Sequence, residues 1–132
     1  MKTLTILLVL SVLVLADTAG VKAQSSNYKN VTQNSIETLK HGIKSENLGV
    51  RRSSIYMAGL YKINEVVDVL VEQLQKEKDP STRVLIALSL YNIGNPKGME
   101  AVRDISQIDP NTRVKRMSTA LYGTYIENVS QK

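Results

Sequence analysis

The chain has 132 residues, 17 of them basic and 12 acidic, a formal charge of +5 and no cysteine. Without cysteine there can be no disulfide framework, no lipid-accepting thiol and no thiolate metal set, so stability has to come from an apolar core. The charge excess is modest, and outside Arg51-Arg52 and Arg113-Lys115-Arg116 basic residues are interspersed with acidic ones, which argues against nucleic acid as a partner.

In chain order, Lys2 precedes an apolar run from Leu4 to Ala16 broken only by Thr5 and Ser11, and Asp17, Thr18, Ala19 and Gly20 follow it. A charged head, a short apolar core and a small-residue exit predict a secretory signal over residues 1–23, cleaved after Val21-Lys22-Ala23, with Val14-Leu15-Ala16 as the rival site. As a helix that run would span about 20 Å, short of the ~30 Å hydrocarbon core, so no transmembrane anchor is expected after cleavage. The expected location is periplasmic or secreted. Cleavage removes Lys2, Lys22 and Asp17 and leaves a net charge of +4.

Residues 24–34 carry one aliphatic side chain and read as a flexible lead-in. From there the spacing is helical. Val66, Val67, Leu70, Val71 and Leu74 recur at intervals of three and four, with Glu65, Asp68, Glu72 and Lys76 mostly opposite. The predicted helices are 35–45, 48–63, 65–77, 80–94, 97–107 and 111–127, within a domain of residues 35–128 and before a tail of 129–132. Asp79-Pro80 and Asp109-Pro110 each offer a capping carboxylate and a proline for a first helical turn, and Gly94-Asn95-Pro96 ends one helix and starts another. Linkers this short predict successive antiparallel neighbours.

The sequence also repeats. Asp79-Pro80-Ser81-Thr82-Arg83-Val84 and Asp109-Pro110-Asn111-Thr112-Arg113-Val114 match at most positions 30 residues apart, and Glu46 to Arg51 is a degenerate third copy. Leu60-Tyr61, Leu90-Tyr91 and Leu121-Tyr122 follow in turn. Two helices per period of about 30 residues predict an all-α fold, a short α-α superhelix of about six helices.

The phrases Ser35 to Leu39 through Val50-Arg51-Arg52, and Asn95 to Val102 through Asp109-Pro110 and Arg113-Val114, resemble the short HEAT repeat, in particular its bacterial HEAT-like form. The chain is also similar to small exported bacterial HEAT-like proteins without an assigned role. The resemblance covers about residues 35–127 and implies a solenoid with two complete helix pairs between end helices. It further implies a hydrogen-bonded ladder along the stack drawn from Arg51, Asp79, Arg83, Asp109 and Arg113, with Asp79 meeting Arg113 or Arg83.

No catalytic, metal or cofactor set stands out. His41 is the only histidine and lies between Lys40 and Lys44, too few ligands for zinc. The pairs Glu65 with Asp68 and Glu100 with Asp104 fit solvated helix faces better than acid/base dyads. No Gly-rich phosphate loop or nucleophile elbow is present. Six tyrosines stand in for phenylalanine and tryptophan, which are absent, and Tyr61, Tyr91 and Tyr122 read as packing residues of one phase. The sequons at Asn30 and Asn128 fall in the expected flexible ends.

The leading functional expectation is an exported, non-catalytic module that binds or scaffolds a protein or peptide and uses no cofactor. Its concave surface would be the helices 65–77 and 97–107, with Asp68, Glu72, Gln75, Lys97, Glu100 and Arg103 as contact residues. The alternatives are an enzyme or an enzyme's accessory subunit that binds a small molecule, and a structural unit that associates with itself through its open ends.

Overall fold

The computed structural model describes residues 32–132; the signal, its cleavage site and most of the lead-in lie outside the described residues. Six α-helices follow: α1 (Gln33–Ile43), α2 (Leu48–Leu60), α3 (Val67–Lys76, entered through a 3-10 turn at Asn64–Val66), α4 (Pro80–Ile93), α5 (Pro96–Ile108) and α6 (Thr112–Ser130). The all-α expectation holds, and the boundaries agree within a few residues. Gln33 and Asn34 are already helical, and α6 runs on through Val129 and Ser130, so the Asn128 sequon lies within a helix.

Local chemistry sets the helix starts. The side chains of Thr32, Asn47, Asp79, Asn95 and Asn111 each accept a hydrogen bond from a first-turn backbone N–H, occupying donors that a helix leaves unpaired. Pro80 and Pro96 sit at the first positions of α4 and α5, where a missing N–H costs nothing. Gly94 ends α4 at φ +73°, and Lys62, just past α2, also has a positive φ of 51°.

The helices pack as three antiparallel pairs, α1 with α2, α3 with α4 and α5 with α6, in two layers. This replaces the expectation of two complete pairs between capping end helices. The repeat length also differs from the sequence match. α2, α4 and α6 start at Leu48, Pro80 and Thr112, each 32 residues after the last, and Asn64–Lys76 and Pro96–Ile108 are offset by 32 at both ends. Lys62 and Gly94 obey the same offset. The Leu-Tyr steps at 60–61, 90–91 and 121–122 therefore occupy different phases, and Tyr125 is the residue in the register of Tyr61.

The core lies between the layers and is aliphatic: Ile43, Ile55, Leu70, Ile86, Leu90, Met99, Val102 and Val114 are fully buried. The spacing read from Val66, Val67, Leu70 and Leu74 corresponds to a buried face, with Val71 packed at its edge. At about 25 cal/mol per Å² of apolar burial, such side chains supply the main drive for folding in a chain without disulfides.

Within the second layer, α2 against α4 and α4 against α6 pack more closely than α1 against α3 and α3 against α5 in the first. Gly59 makes this approach possible: a Cβ there would stand 2.7 Å from Ser89 Cα. Ser89 Oγ in turn donates to the Ile55 carbonyl of α2 at 2.8 Å. Closer spacing in one layer favours α2, α4 and α6 as the inner side of the array, in place of the helices 65–77 and 97–107 expected from the sequence.

Candidate functional site

The polar ladder forms with three of its five expected members, Arg51, Arg83 and Asp109, and with Glu77 in place of Asp79 and Arg113. Arg51 Nε donates to Glu77 at 2.8 Å, and Arg83 Nε and Nη2 donate to the two oxygens of Asp109 at 2.7 and 2.9 Å. Each guanidinium also reaches back into the loop before its own helix: Arg51 to the Ser45 and Glu46 carbonyls, Arg83 to those of Glu77 and Lys78. The carboxylates of Glu77 and Asp109 accept the N–H two residues on, from Asp79 and Asn111. Ser45 accepts from Asn47 in the same way. Every bond of the ladder thus recurs at 32 residues, tying each loop to the next.

Asp79 is not a rung. It caps α4, accepting from the backbone N–H and the hydroxyl of Thr82. Asp109 in turn does not cap α6; it takes the place of Glu77, while Asn111 takes the capping place of Asp79. Arg113 is exposed and outside the ladder, and Lys115 occupies the Arg51 and Arg83 position at the end of the array. Sequence reasoning missed Glu77, whose type differs from Asp109.

Burial and charge oppose each other in the rungs. Desolvation raises the Glu77 carboxyl, yet the Asp79 N–H and the Arg51 and Gln73 side chains outweigh it and hold its pKa below the ordinary value. Desolvation of Asp109 is likewise outweighed, by Arg83, the Asn111 N–H and the charge of Lys115. A cavity of about 430 Å³ lies against the first rung, lined by Lys44, Arg51, Gln73, Lys76 and Glu77 among others. Of its charged groups, Arg51 and Glu77 pair with each other, while Lys44 and Lys76 both pair with Glu72.

The six residues expected to contact a partner lie on α3 and α5, on the outer layer, with Asp68, Gln75, Lys97, Glu100 and Arg103 exposed and Glu72 half-buried. Their charges largely pair within the layer. Lys97 bridges to Asp68 at 2.7 Å and Lys44 to Glu72 at 2.9 Å, joining neighbouring helices. Glu72 also binds Lys76, and hydrogen bonds from Lys76 and Lys44 lower its pKa to about 2. Arg103 meets Asp104 at 3.4 Å, and that contact, with a smaller contribution from Tyr122, raises its pKa. Tyr122 and Tyr125 lie with ring centroids 6.3 Å apart.

The inner layer is unlike this. Among α2, α4 and α6 the only carboxylate is Glu127, near the end of α6. The outward-facing positions of these helices carry exposed Tyr56, Leu60, Leu88 and Met117, with exposed Arg52, Arg113 and Arg116 beside them. None of these arginines has an ion-pair partner within 4 Å among the described residues. Arg52 acts on Asp79 only at longer range. A second set of exposed apolar residues marks the first edge of the array: Val50 is 49% exposed, whereas Thr82 and Val114, its equivalents one and two repeats on, are fully buried.

Among the described residues, no group of three or more His, Asp or Glu gathers into a metal-binding set, and no helix is long and apolar enough to cross a membrane. His41 is exposed on α1.

Compared with known families, residues 31–121 match the sequence model of HEAT repeats. No curated protein matches the chain, and no solved structure does. HEAT repeats usually mediate contacts between proteins, and proteins built from them are generally non-catalytic scaffolds. With three helix pairs in 32-residue register and a family match over most of its length, the chain belongs to the HEAT-repeat family.

Proposed function

We propose that the protein is an exported, non-catalytic module that binds a protein or peptide on the inner face formed by α2, α4 and α6. One observation carries this reading: that face exposes Tyr56, Leu60, Leu88 and Met117 together, beside arginines that have no ion-pair partner within 4 Å among the described residues. Exposed aromatic and aliphatic side chains on a concave surface have more to gain from a partner than the ion-paired outer layer, where contact must first break bridges to solvent-exposed groups. Export rests on the order of charge, apolar run and small residues at the start of the chain.

The test is affinity capture from a cell-envelope fraction with the purified protein as bait. One protein should be enriched reproducibly, and its capture should be lost with Tyr56→Ala plus Leu88→Ala. Enrichment of a small molecule with no protein would overturn the binding-module reading.

A further inference from the structure

We infer that the occupant of the inner face is an acidic segment with interleaved apolar side chains, lying across α2, α4 and α6. The inference rests on the binding reading above and adds the chemistry of the partner. The 32-residue register places Arg52, Val84 and Arg116 in one row across the three helices, and Tyr56, Leu88 and Ala120 in the next. Arg113 flanks the same end of the layer, and Met117 lies between the two rows on α6.

The face thus has a cationic edge at the helix starts and an apolar strip beside it. The one carboxylate within these helices, Glu127, is at the far end of α6, and Asp79 at the cap of α4 is the acidic group that feels the charge of Arg52. The carboxylates, rather than the cations, are segregated: the first-layer helices and the turn before α3 carry Glu37, Glu65, Asp68, Glu72, Glu100 and Asp104 beside Lys40, Lys76, Lys97 and Arg103. Two cations of the inner helices, Arg51 and Arg83, are consumed by the ladder. Lys115 acts on Asp109, and Arg52, Arg113 and Arg116 remain, with guanidinium forks suited to carboxylates.

Geometry favours a peptide over a lipid surface. A concave face cannot meet a flat bilayer along all three helices at once. Helices about 8–10 Å apart put Arg52 and Arg116 on the order of 20 Å from one another, a distance that an extended strand covers in about six residues at roughly 3.3 Å each. Carboxylates near both ends of such a strand would meet the two arginines, while alternate apolar side chains rest on Tyr56 and Leu88.

The test is selection of random phage-displayed peptides, each about a dozen residues long, against the purified protein. The expected winners carry two or more Asp or Glu interleaved with Leu, Ile or Phe. A fluorescein-labelled winner should bind about tenfold or more weakly to Arg52→Glu plus Arg116→Glu, a loss of about 1.4 kcal/mol or more. It should also bind more weakly at higher salt. Circular dichroism of the variant should be unchanged, since both side chains are exposed.

Winners without an acidic excess, or acidic winners that bind the double variant equally well, would overturn the inference. Winners displaced instead by Asp68→Lys plus Lys97→Glu would overturn it and leave the broader binding reading in place. Failure of any peptide to enrich, with co-sedimentation on phosphatidylcholine–phosphatidylglycerol vesicles, would overturn it in favour of a lipid surface. Failure of both this selection and the affinity capture would remove the binding reading as well.

Discussion

Arg83 on α4 grips Asp109, 26 residues further on, through two hydrogen bonds of 2.7 and 2.9 Å, while its third contact set holds the loop before its own helix. One side chain therefore fastens two consecutive loops, and Arg51 does the same one repeat earlier. With Arg83 only 12% exposed and Asp109 4%, removing either partner leaves the other charge buried. Arg83→Ala should lower unfolding free energy by about 3 kcal/mol, whereas Arg113→Ala, outside the ladder, should change it by no more than about 0.5 kcal/mol. Urea unfolding followed by circular dichroism measures both; equal effects would restore the 30-residue register.

The ladder also sets how stability responds to acid. Glu77 and Asp109 have folded-state pKa values lowered from their ordinary ones. Their contribution is thus present in full above the unfolded carboxylate pKa of about 4 and is lost as pH falls through the lower folded values. Thermal midpoints should hold steady from neutral pH to about pH 5 and then fall. Asp109→Asn should be less stable at neutral pH, and the gap to the native chain should narrow below about pH 4.

Helix starts and the all-α architecture were legible in the amino acids, because Asp79-Pro80 and Gly94-Asn95-Pro96 act through local backbone chemistry and Val66, Val67, Leu70 and Leu74 mark a face by spacing alone. The register was not. Asp109-Pro110-Asn111-Thr112-Arg113-Val114 looks like the phrase at Asp79, but Asp109 is spatially equivalent to Glu77, so identity and position disagree by two residues. The capping residues Asn47, Asp79 and Asn111, each 32 apart, were the signal that could have resolved it. Which layer faces inward depends on how closely neighbouring helices approach, a property of the assembled array. That α2, α4 and α6 carry a single carboxylate, Glu127, was visible in the sequence and pointed to an uneven distribution of acidic residues.

Two glycines should respond in opposite directions. Gly59→Ala forces a methyl against Ser89 at the α2–α4 contact and should cost about 1–3 kcal/mol by overpacking. Gly123 has no heavy atom within 4 Å of its would-be Cβ. Gly123→Ala inside α6 should therefore stabilise by about 0.5–1 kcal/mol through helix propensity. Thermal unfolding distinguishes the two, and a stabilising Gly59→Ala would contradict the close packing of the inner layer.

Ser118 is fully buried at the position that Ile86 holds one repeat earlier, and its hydroxyl has no hydrogen-bond partner among the described residues. A buried unpaired hydroxyl costs about 1–3 kcal/mol. Ser118→Ala removes that penalty with little change of volume and should raise stability by about 1 kcal/mol. A clear loss of stability in calorimetry would show that the hydroxyl is satisfied after all.

Site-specific photo-crosslinking in cells compares the two layers most directly, with a benzophenone amino acid placed at Leu88 on the inner face or at Glu72 on the outer. The account predicts a discrete heavier adduct from the Leu88 position and none from the Glu72 position. An adduct formed from the Glu72 position, with none from Leu88, would contradict it.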